Sequence, residues 1–175
     1  YYLIYLNNYL LNLYMVNYIK FTLGIFIALA SSRFIPHPPN FTSLIALSFY
    51  IPAFLGTRYL PALILSFVIT DLIIGFHGLA VFTWGSVILI GMLSRYFLSN
   101  IYTRASGALI GACIFFIITN FGVWTLGNYE YSLSGFLLCY TLSIPFFGYT
   151  LLSTIAFSFL IEVLNICFKE FKILN

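Results

Sequence analysis

The sequence predicts an all-α membrane protein, a bundle of six transmembrane helices with both chain ends in the cytoplasm. Hydrophobic residues make up 62% of its 175 residues and charged residues only 6%, against about 25% charged residues in soluble domains. Such a length accommodates about six spans of about 20 residues each. Basic residues stand at every second boundary between the long apolar stretches, the pattern that marks cytoplasmic loops in multi-pass proteins.

Six of the seven basic residues fall in segments that this topology places in the cytoplasm: Lys20, Arg58, Arg95, Arg104, Lys169 and Lys172. The unusual polar residues fall at the opposite ends of the same stretches, so any ligand site is expected to open outward. A net charge of +3 spread over span ends does not form the basic stripe of a nucleic-acid-binding surface. The expected partners are therefore membrane lipids and a small solute, with no nucleic acid.

Residues 1–18 mix Tyr and Asn with leucines, a composition typical of the lipid headgroup layer, and predict an interfacial helix ahead of the bundle. Residues 19–172 form the predicted single transmembrane bundle. Its first span covers about residues 20–33 and ends at a proline-rich connector, because proline cannot continue a helix.

Four middle spans follow from apolar runs bounded by glycine, proline or arginine, over residues 42–56, 58–75, 82–95 and 105–121. Pro52 in the first of these runs predicts a kink or a break. The last span is predicted over residues 148–168. Just before it, residues 133–144 are apolar but too short to cross a membrane, and Pro145 follows them. They predict a short re-entrant or surface helix, suited to act as a lid.

Asp71 lies deep in the third predicted span, about 20 Å into a hydrocarbon core of about 30 Å when counted from Arg58. An unpaired carboxylate there costs roughly 2.5–3.5 kcal/mol on insertion scales, so it requires a partner inside the bundle. Arg33 is the best candidate. The pair either locks two helices together or forms the polar floor of a ligand pocket, and the sequence leaves both open.

The connector after the first span reads PHPPNFT over residues 36–42. Its three prolines stiffen the backbone, so His37 and Asn40 would be presented to a ligand with little loss of entropy on binding. The alternative is a rigid connector whose histidine only caps a neighbouring helix.

His77, Trp84, Asn120 and Trp124 complete the candidate binding residues. His77 lies in a tight glycine-flanked turn, and Asn120 interrupts an apolar helix, where its amide requires a hydrogen-bond partner in the protein or in a solute. The two tryptophans are either anchors at the membrane interface or surfaces on which a planar ligand stacks.

Gly24, Ala28 and Ser32 recur every four residues along the first span. Small residues at this spacing allow another helix to approach closely. The seam predicts either a contact inside the bundle or a docking face for a partner protein.

The chain lacks the motifs of catalysis. It has no nucleophile elbow, no glycine-rich phosphate loop and no Cys/His pairing, so we expect neither an enzyme nor ATP hydrolysis by this chain. His37, His77, Asp71 and Glu130 do not have the spacing that fixes two metal ligands on one helix face, so neither a metal nor another cofactor is expected. The three cysteines are predicted to be small core residues, since each lies in an apolar run.

Three strings of sequence carry a resemblance: SRFIPHPPNFT at 32–42, DLIIGFH at 71–77 and TNFGVW at 119–124. They resemble those of a family of small uncharacterised bacterial membrane proteins, over about residues 20–165. The resemblance implies a multi-pass protein of the bacterial cytoplasmic (inner) membrane and carries no activity with it.

In its layout the chain also resembles the substrate-binding S components of energy-coupling factor (ECF) transporters. Those proteins have six helices with both ends inside, and they capture vitamins or related micronutrients beneath their first outer loop. Small residues on their first helix dock a shared transmembrane subunit. The resemblance implies that residues 34–42 form a lid, that Gly24, Ala28 and Ser32 form the docking seam, and that a coupling subunit with ATPases supplies the energy.

The sequence therefore favours a substrate-binding protein for uptake of a vitamin-like solute, with a pocket beneath the loops after the first, third and fifth helices. Arg33 and Asp71 would set its polarity, and Trp84 and Trp124 would stack or seal. His37, Asn40 and Asn120 would form hydrogen bonds with the solute, and His77 is the remaining candidate binding residue. The alternative is a non-catalytic structural or accessory subunit of a larger membrane complex, and an intramembrane enzyme comes third.

Overall fold

The computed structural model describes the backbone of residues 2–173 and the side chains of residues 15–167. Within that part the chain is all α, as predicted, and contains no strand. Its six α-helices are α1 (Tyr2–Phe34), α2 (Leu44–Leu55), α3 (Leu60–Ile74), α4 (Ala80–Leu93), α5 (Ile101–Val123) and α6 (Leu133–Ile173). A 3-10 turn precedes α3, another follows α4, and a π-helical turn, Trp124–Asn128, follows α5.

Four helical stretches are long and apolar enough to cross a membrane, which indicates a membrane protein. They are Met15–Phe34, Thr57–Ile74, Ile101–Asn128 and Leu133–Cys167. The other two helices are shorter. The 12 residues of α2 extend about 18 Å, well short of a hydrocarbon core of about 30 Å.

The short helix α2 lies at the centre of the bundle, where it packs against each of the other five helices. Every residue from Leu44 to Tyr50 is buried, so no face of this stretch is exposed. Pro52 does not end the helix, which continues to Leu55. A helix that is enclosed on all sides by protein is expected to be apolar on every face, and the sequence of α2 is a nearly continuous run of apolar residues.

Contacts between helices give their relative directions. The hydroxyl of Tyr18, in the middle of α1, donates to the carbonyl of Arg58 just before α3, at 3.4 Å, while Arg33 near the end of α1 bonds Asp71 near the end of α3. Helices α1 and α3 therefore run parallel.

Three of the predicted cytoplasmic arginines lie at the same end of the bundle. Arg58 follows Thr57, which lines the same groove as Arg95. Arg104 lies over the ring of Phe54 near the end of α2. Arg33 and Asp71 lie at the opposite end.

The N-terminal segment differs from the predicted separate interfacial helix over residues 1–18. From Tyr2 the backbone forms one helix that continues into the first predicted span. Neither glycine nor proline occurs between residues 2 and 23, so nothing in the local sequence ends the helix there. The side chains up to Tyr14, and those of Lys169 and Lys172, lie outside the described residues.

The segment before the last span also differs from prediction. Residues 133–144 are the first turns of α6, which passes through Pro145 without a break. Membrane helices tolerate proline where neighbouring helices satisfy the freed backbone groups. These turns pack along α5, because the hydroxyl of Tyr140 donates to the carbonyl of Ile117 at 2.7 Å and the thiol of Cys139 lies 3.5 Å from the carbonyl of Asn120. The segment is a wall of the bundle, not a separate lid.

Candidate ligand-binding site

The polar centre of the bundle is the carboxylate of Asp71, which is 1% exposed. Arg33 donates from Nη2 to Oδ1 at 2.6 Å, and Trp84 donates from Nε1 to Oδ2 at 2.7 Å. The Nε2 atom of His77 lies 3.9 Å from Oδ2. The ion pair expected from the sequence is therefore present, and both carboxylate oxygens accept a hydrogen bond, which a buried charge requires.

Arg33 is fixed in place by α3. Its Nη1 donates to the hydroxyl of Thr70 at 2.8 Å, and its Cζ lies 4.7 Å from the centre of the Phe67 ring. The hydroxyl of Thr70 donates in turn to the carbonyl of Phe67 at 2.9 Å. Phe67, Thr70 and Asp71 lie on one face of α3 and together hold the guanidinium, whose side chain is 13% exposed.

Two adjoining cavities open beside this ion pair. The smaller, which we call the polar cavity, has a volume of about 290 Å³, and the larger, the aromatic cavity, has a volume of about 460 Å³. They share the lining residues Asn40, His77, Thr83, Phe115 and Thr150. Ligand pockets for small molecules measure about 300–1,000 Å³, so the two together have the size of a ligand site.

The polar cavity brings two of the three sequence strings together. Arg33, His37, Asn40 and Thr42 come from the end of α1 and the connector, and Asp71 and His77 come from the end of α3 and the turn after it. The ring of His37 donates from Nδ1 to the carbonyl of Pro38 at 2.8 Å, since a carbonyl can only accept. His37 therefore does not cap a helix.

Asn40 holds the connector between the two cavities. Its φ of 62° lies in the left-handed region, which asparagine adopts more readily than most residues. Its carbonyl accepts a long hydrogen bond, 3.5 Å, from the hydroxyl of Ser153 on α6. The connector is thereby tied to the far side of the bundle.

The aromatic cavity adds the third string to the same site. Thr119, Asn120 and Val123 line it from α5, and Phe115 and Phe116 lie one turn earlier on the same helix. On α6 the lining residues are Ser143, Phe146, Phe147 and Thr150.

The polar side chains that α5 and α6 contribute to the aromatic cavity share one feature: each donates a hydrogen to a carbonyl of its own helix. Thr119 donates to Phe115, Ser143 to Cys139 and Thr150 to Phe146, at 2.8, 2.8 and 3.1 Å. The amide Nδ2 of Asn120 donates to Phe116 at 2.8 Å. These bonds satisfy Asn120 inside the protein and leave oxygen lone pairs available around the cavity.

Each of the two tryptophans donates a hydrogen bond within the protein. Trp84 lines neither cavity and acts on the site through its bond to Asp71. Trp124 also lies outside both linings. Its Nε1 donates to the carbonyl of Glu130 at 3.0 Å, and its ring packs edge-on against Phe136.

The phenylalanines of the site were missed by sequence reasoning, because aromatic residues in apolar runs resemble residues that face lipid. A signal was present on α6. Ser143, Phe146, Phe147 and Thr150 are spaced i, i+3, i+4 and i+7, which puts them on one helix face. Two hydroxyl residues on a single face of an apolar helix indicate a polar neighbour there.

The predicted docking seam changes in exposure along α1. Gly24 and Ala28 are exposed, and a side-chain carbon added at Gly24 would meet nothing within 4 Å. Ser32 is partly buried and lies 2.7 Å from the hydroxyl of Ser43 in the connector region. The side-chain positions of Gly24 and Ala28 are therefore exposed, although the carbonyl of Ala28 accepts a hydrogen bond from the hydroxyl of Ser43 at 3.4 Å.

A second buried ion pair lies at the opposite end of the bundle. Arg104 donates to Glu162 from Nε at 2.6 Å and from Nη2 at 2.8 Å. This two-bond pair joins α5 to α6 and is remote from the cavities. Over residues 15–167, no three His, Cys, Asp or Glu side chains come close enough together to hold a metal.

Neither a curated protein nor a solved structure matches this chain. A family model does match, that of a family of unknown function, DUF6580, over residues 15–171. The matched range contains both cavities and both ion pairs, and the prediction of an uncharacterised family is confirmed. The chain belongs to this family of unknown function, DUF6580.

Proposed function

We propose that this chain is a membrane-embedded binding protein that captures a small, vitamin-like solute for uptake across the bacterial cytoplasmic membrane. One observation carries the proposal: two adjoining cavities, of about 290 and 460 Å³, lie beside a buried Arg33–Asp71 ion pair. The three strings singled out in the sequence all contribute to their walls. Pockets that combine a mostly apolar lining with a few convergent polar groups are typical of small-molecule sites.

The proposed topology has six membrane crossings, with the short helix α2 enclosed by the other five. Arg58, Arg95 and Arg104 lie at one end of the bundle, and basic residues favour the cytoplasmic side. The cavities lie near the other end, so they would face outward and the chain ends would lie in the cytoplasm. Short helices beside a binding site are common in membrane transporters.

Different residues of the site would contact different parts of the solute. Arg33, His37, Asn40 and His77 would contact the polar part of the solute, and Asp71 would orient Arg33. Asn120 and the phenylalanines of α5 and α6 would contact the remainder. Trp84 is a positioning residue, since it holds Asp71, and Trp124 is assigned no contact with the solute.

Uptake would require partners, because this sequence carries no nucleotide-binding motif. By resemblance to ECF S components, a coupling membrane subunit with an ATPase pair would supply the energy. The exposed Gly24 and Ala28 on α1 offer a small-residue surface on which such a subunit would dock. A purely structural subunit would be expected to have a filled interior, so the cavities favour the binding function.

The test is native mass spectrometry of the protein released from its own membranes. Wild-type protein should carry a bound small molecule. Ser143→Phe, which fills the aromatic cavity, should lose it. Thr141→Phe is the matched control, because Thr141 is an exposed residue of the same helix whose hydroxyl makes the same bond to its own backbone. Wild-type protein free of any bound solute, or equal occupancy in wild type and Ser143→Phe, would contradict the proposal.

A further inference from the structure

The chemistry of the two cavities restricts the class of solute, an inference that rests on the proposed function. In the polar cavity each oxygen of the Asp71 carboxylate already accepts a hydrogen bond within the protein. Oδ1 of Asp71 accepts from Arg33 and Oδ2 accepts from Trp84, at 2.6 and 2.7 Å. The carboxylate is also the more deeply buried partner, 1% exposed against 13% for Arg33. A cationic solute would therefore meet the arginine first.

Arg33 is the group of this pair that still has hydrogen-bonding capacity. A guanidinium has about five N–H donors, and contacts with Thr70 and Asp71 use two of its nitrogens. The remaining N–H groups suit a carboxylate or a carbonyl, both of which a guanidinium binds in its own plane. In the neutral ring of His37, Nε2 is an acceptor, because Nδ1 carries the hydrogen donated to the Pro38 carbonyl.

The aromatic cavity has the opposite polarity. The hydroxyls of Thr119, Ser143 and Thr150 donate their hydrogens to carbonyls of their own helices, so toward the cavity their oxygens can act only as acceptors. Four phenylalanine rings form much of the apolar wall, and Phe116 and Phe147 lie 4.5 Å apart between centroids. Rings at such distances provide flat apolar surfaces with which another ring packs favourably.

We propose that the solute is an amphipathic molecule with two distinct parts. Its head is a carboxylate or carbonyl group that accepts hydrogen bonds from Arg33. Its body is a planar, mostly apolar ring system that lies among Phe115, Phe116 and Phe147 and carries N–H or O–H donors at its edge. The residues shared by the two cavities, Asn40, His77 and Thr83 among them, would surround the junction of head and body.

The experiment identifies the solute directly. Small molecules released by denaturing wild-type protein, Ser143→Phe and Thr141→Phe are compared by liquid chromatography and mass spectrometry. We expect one species that is depleted only in Ser143→Phe and that contains a planar ring system and an acidic or carbonyl group. An amine, a quaternary ammonium compound or a ringless polyol at this position would overturn the inference and leave the binding function standing. Absence of any depleted species would overturn both.

A second pair of variants tests the proposed acceptor role of the hydroxyls. Thr119→Val keeps the shape of the side chain and removes its oxygen, and it should lower occupancy by the same solute by about 5-fold. Thr141→Val makes the same change outside the cavity and should have no effect. Equal occupancy in Thr119→Val and wild type would overturn the assignment of donors to the body of the solute.

Discussion

Single residues set the polarity of the site, and Asp71 is the one on which the others depend. Its two oxygens join α1 to α4, since Arg33 lies on α1 and Trp84 lies on α4. A charge removed from such a buried pair leaves the other charge without compensation.

Asp71→Asn should therefore lower the free energy of unfolding by about 3–5 kcal/mol. The Asn amide would also present a donor to Arg33 or to Trp84, where only an acceptor fits. Arg33→Gln in the same chain should recover part of the loss, because no charge then remains unpaired. Unfolding in mixed detergent gives the energies, and strictly additive effects of the two substitutions would contradict the coupling.

The two tryptophans of this sequence form a natural comparison. Trp84→Phe removes a hydrogen bond to a buried carboxylate, so we expect a loss of about 1.5–3 kcal/mol. Trp124→Phe removes a bond to a main-chain carbonyl in a more exposed place, and about 0.5–1.5 kcal/mol should be lost. The same unfolding measurement compares the two variants. A larger loss of unfolding free energy in Trp124→Phe than in Trp84→Phe would contradict the role assigned to Trp84.

At the scale of helices, close packing of α5 depends on a residue without a side chain. A carbon added at Gly107 would lie 2.5 Å from the ring of Phe49 and 2.7 Å from that of Phe97. Both rings come from other elements, so neither moves without disturbing the core around α2.

Gly107→Ala should accordingly destabilise the bundle by about 1–3 kcal/mol through overpacking. Gly85→Ala is the control, because a carbon added at this helical glycine meets nothing within 4 Å. Alanine favours a helix by up to about 1 kcal/mol relative to glycine, so that variant should be neutral or more stable. Thermal unfolding followed by circular dichroism compares them, and equal effects would contradict the packing described for α5.

The sequence predicted the helices better than it predicted where they stop. Glycine and proline placed the ends of α2 and α3 within a few residues, because both residues restrict the backbone locally. Tyrosine and asparagine before residue 18 change the polarity of a helix but do not end it, so α1 was predicted too short. Pro145 was given too much weight, since the packing of α6 against α5 compensates for one missing N–H.

Buried and lipid-facing positions were also hard to separate from sequence. Each of the three cysteines lies in an apolar run, yet only Cys139 is buried, whereas Cys113 and Cys167 are exposed. In a membrane protein apolar residues cover the outside as well as the core, so hydrophobicity alone does not tell the two apart. The Arg33–Asp71 pair was predictable for the opposite reason: a charge at that depth requires a partner.

For the whole molecule, the proposed function requires that the cavities and the arginine end face opposite sides of the membrane. Phe76→Cys and Tyr102→Cys place thiols at exposed positions, 67% and 82% exposed in the native side chains, at the two ends. Each is made in a chain whose native cysteines are replaced by alanine. A membrane-impermeant maleimide should label position 76 in intact cells and position 102 only after permeabilisation. The reverse order, or equal labelling in intact cells, would contradict the proposed topology.

The most direct measurement is an electron-microscopy or crystal structure of the protein taken from its own membranes, with any bound molecule retained. We expect non-protein density that continues from Arg33 in the polar cavity, past Asn40 and His77, to the rings of Phe116 and Phe147. Side chains that close this space, or a lipid tail that enters it from the bilayer, would contradict the proposal that the two cavities form one solute-binding site.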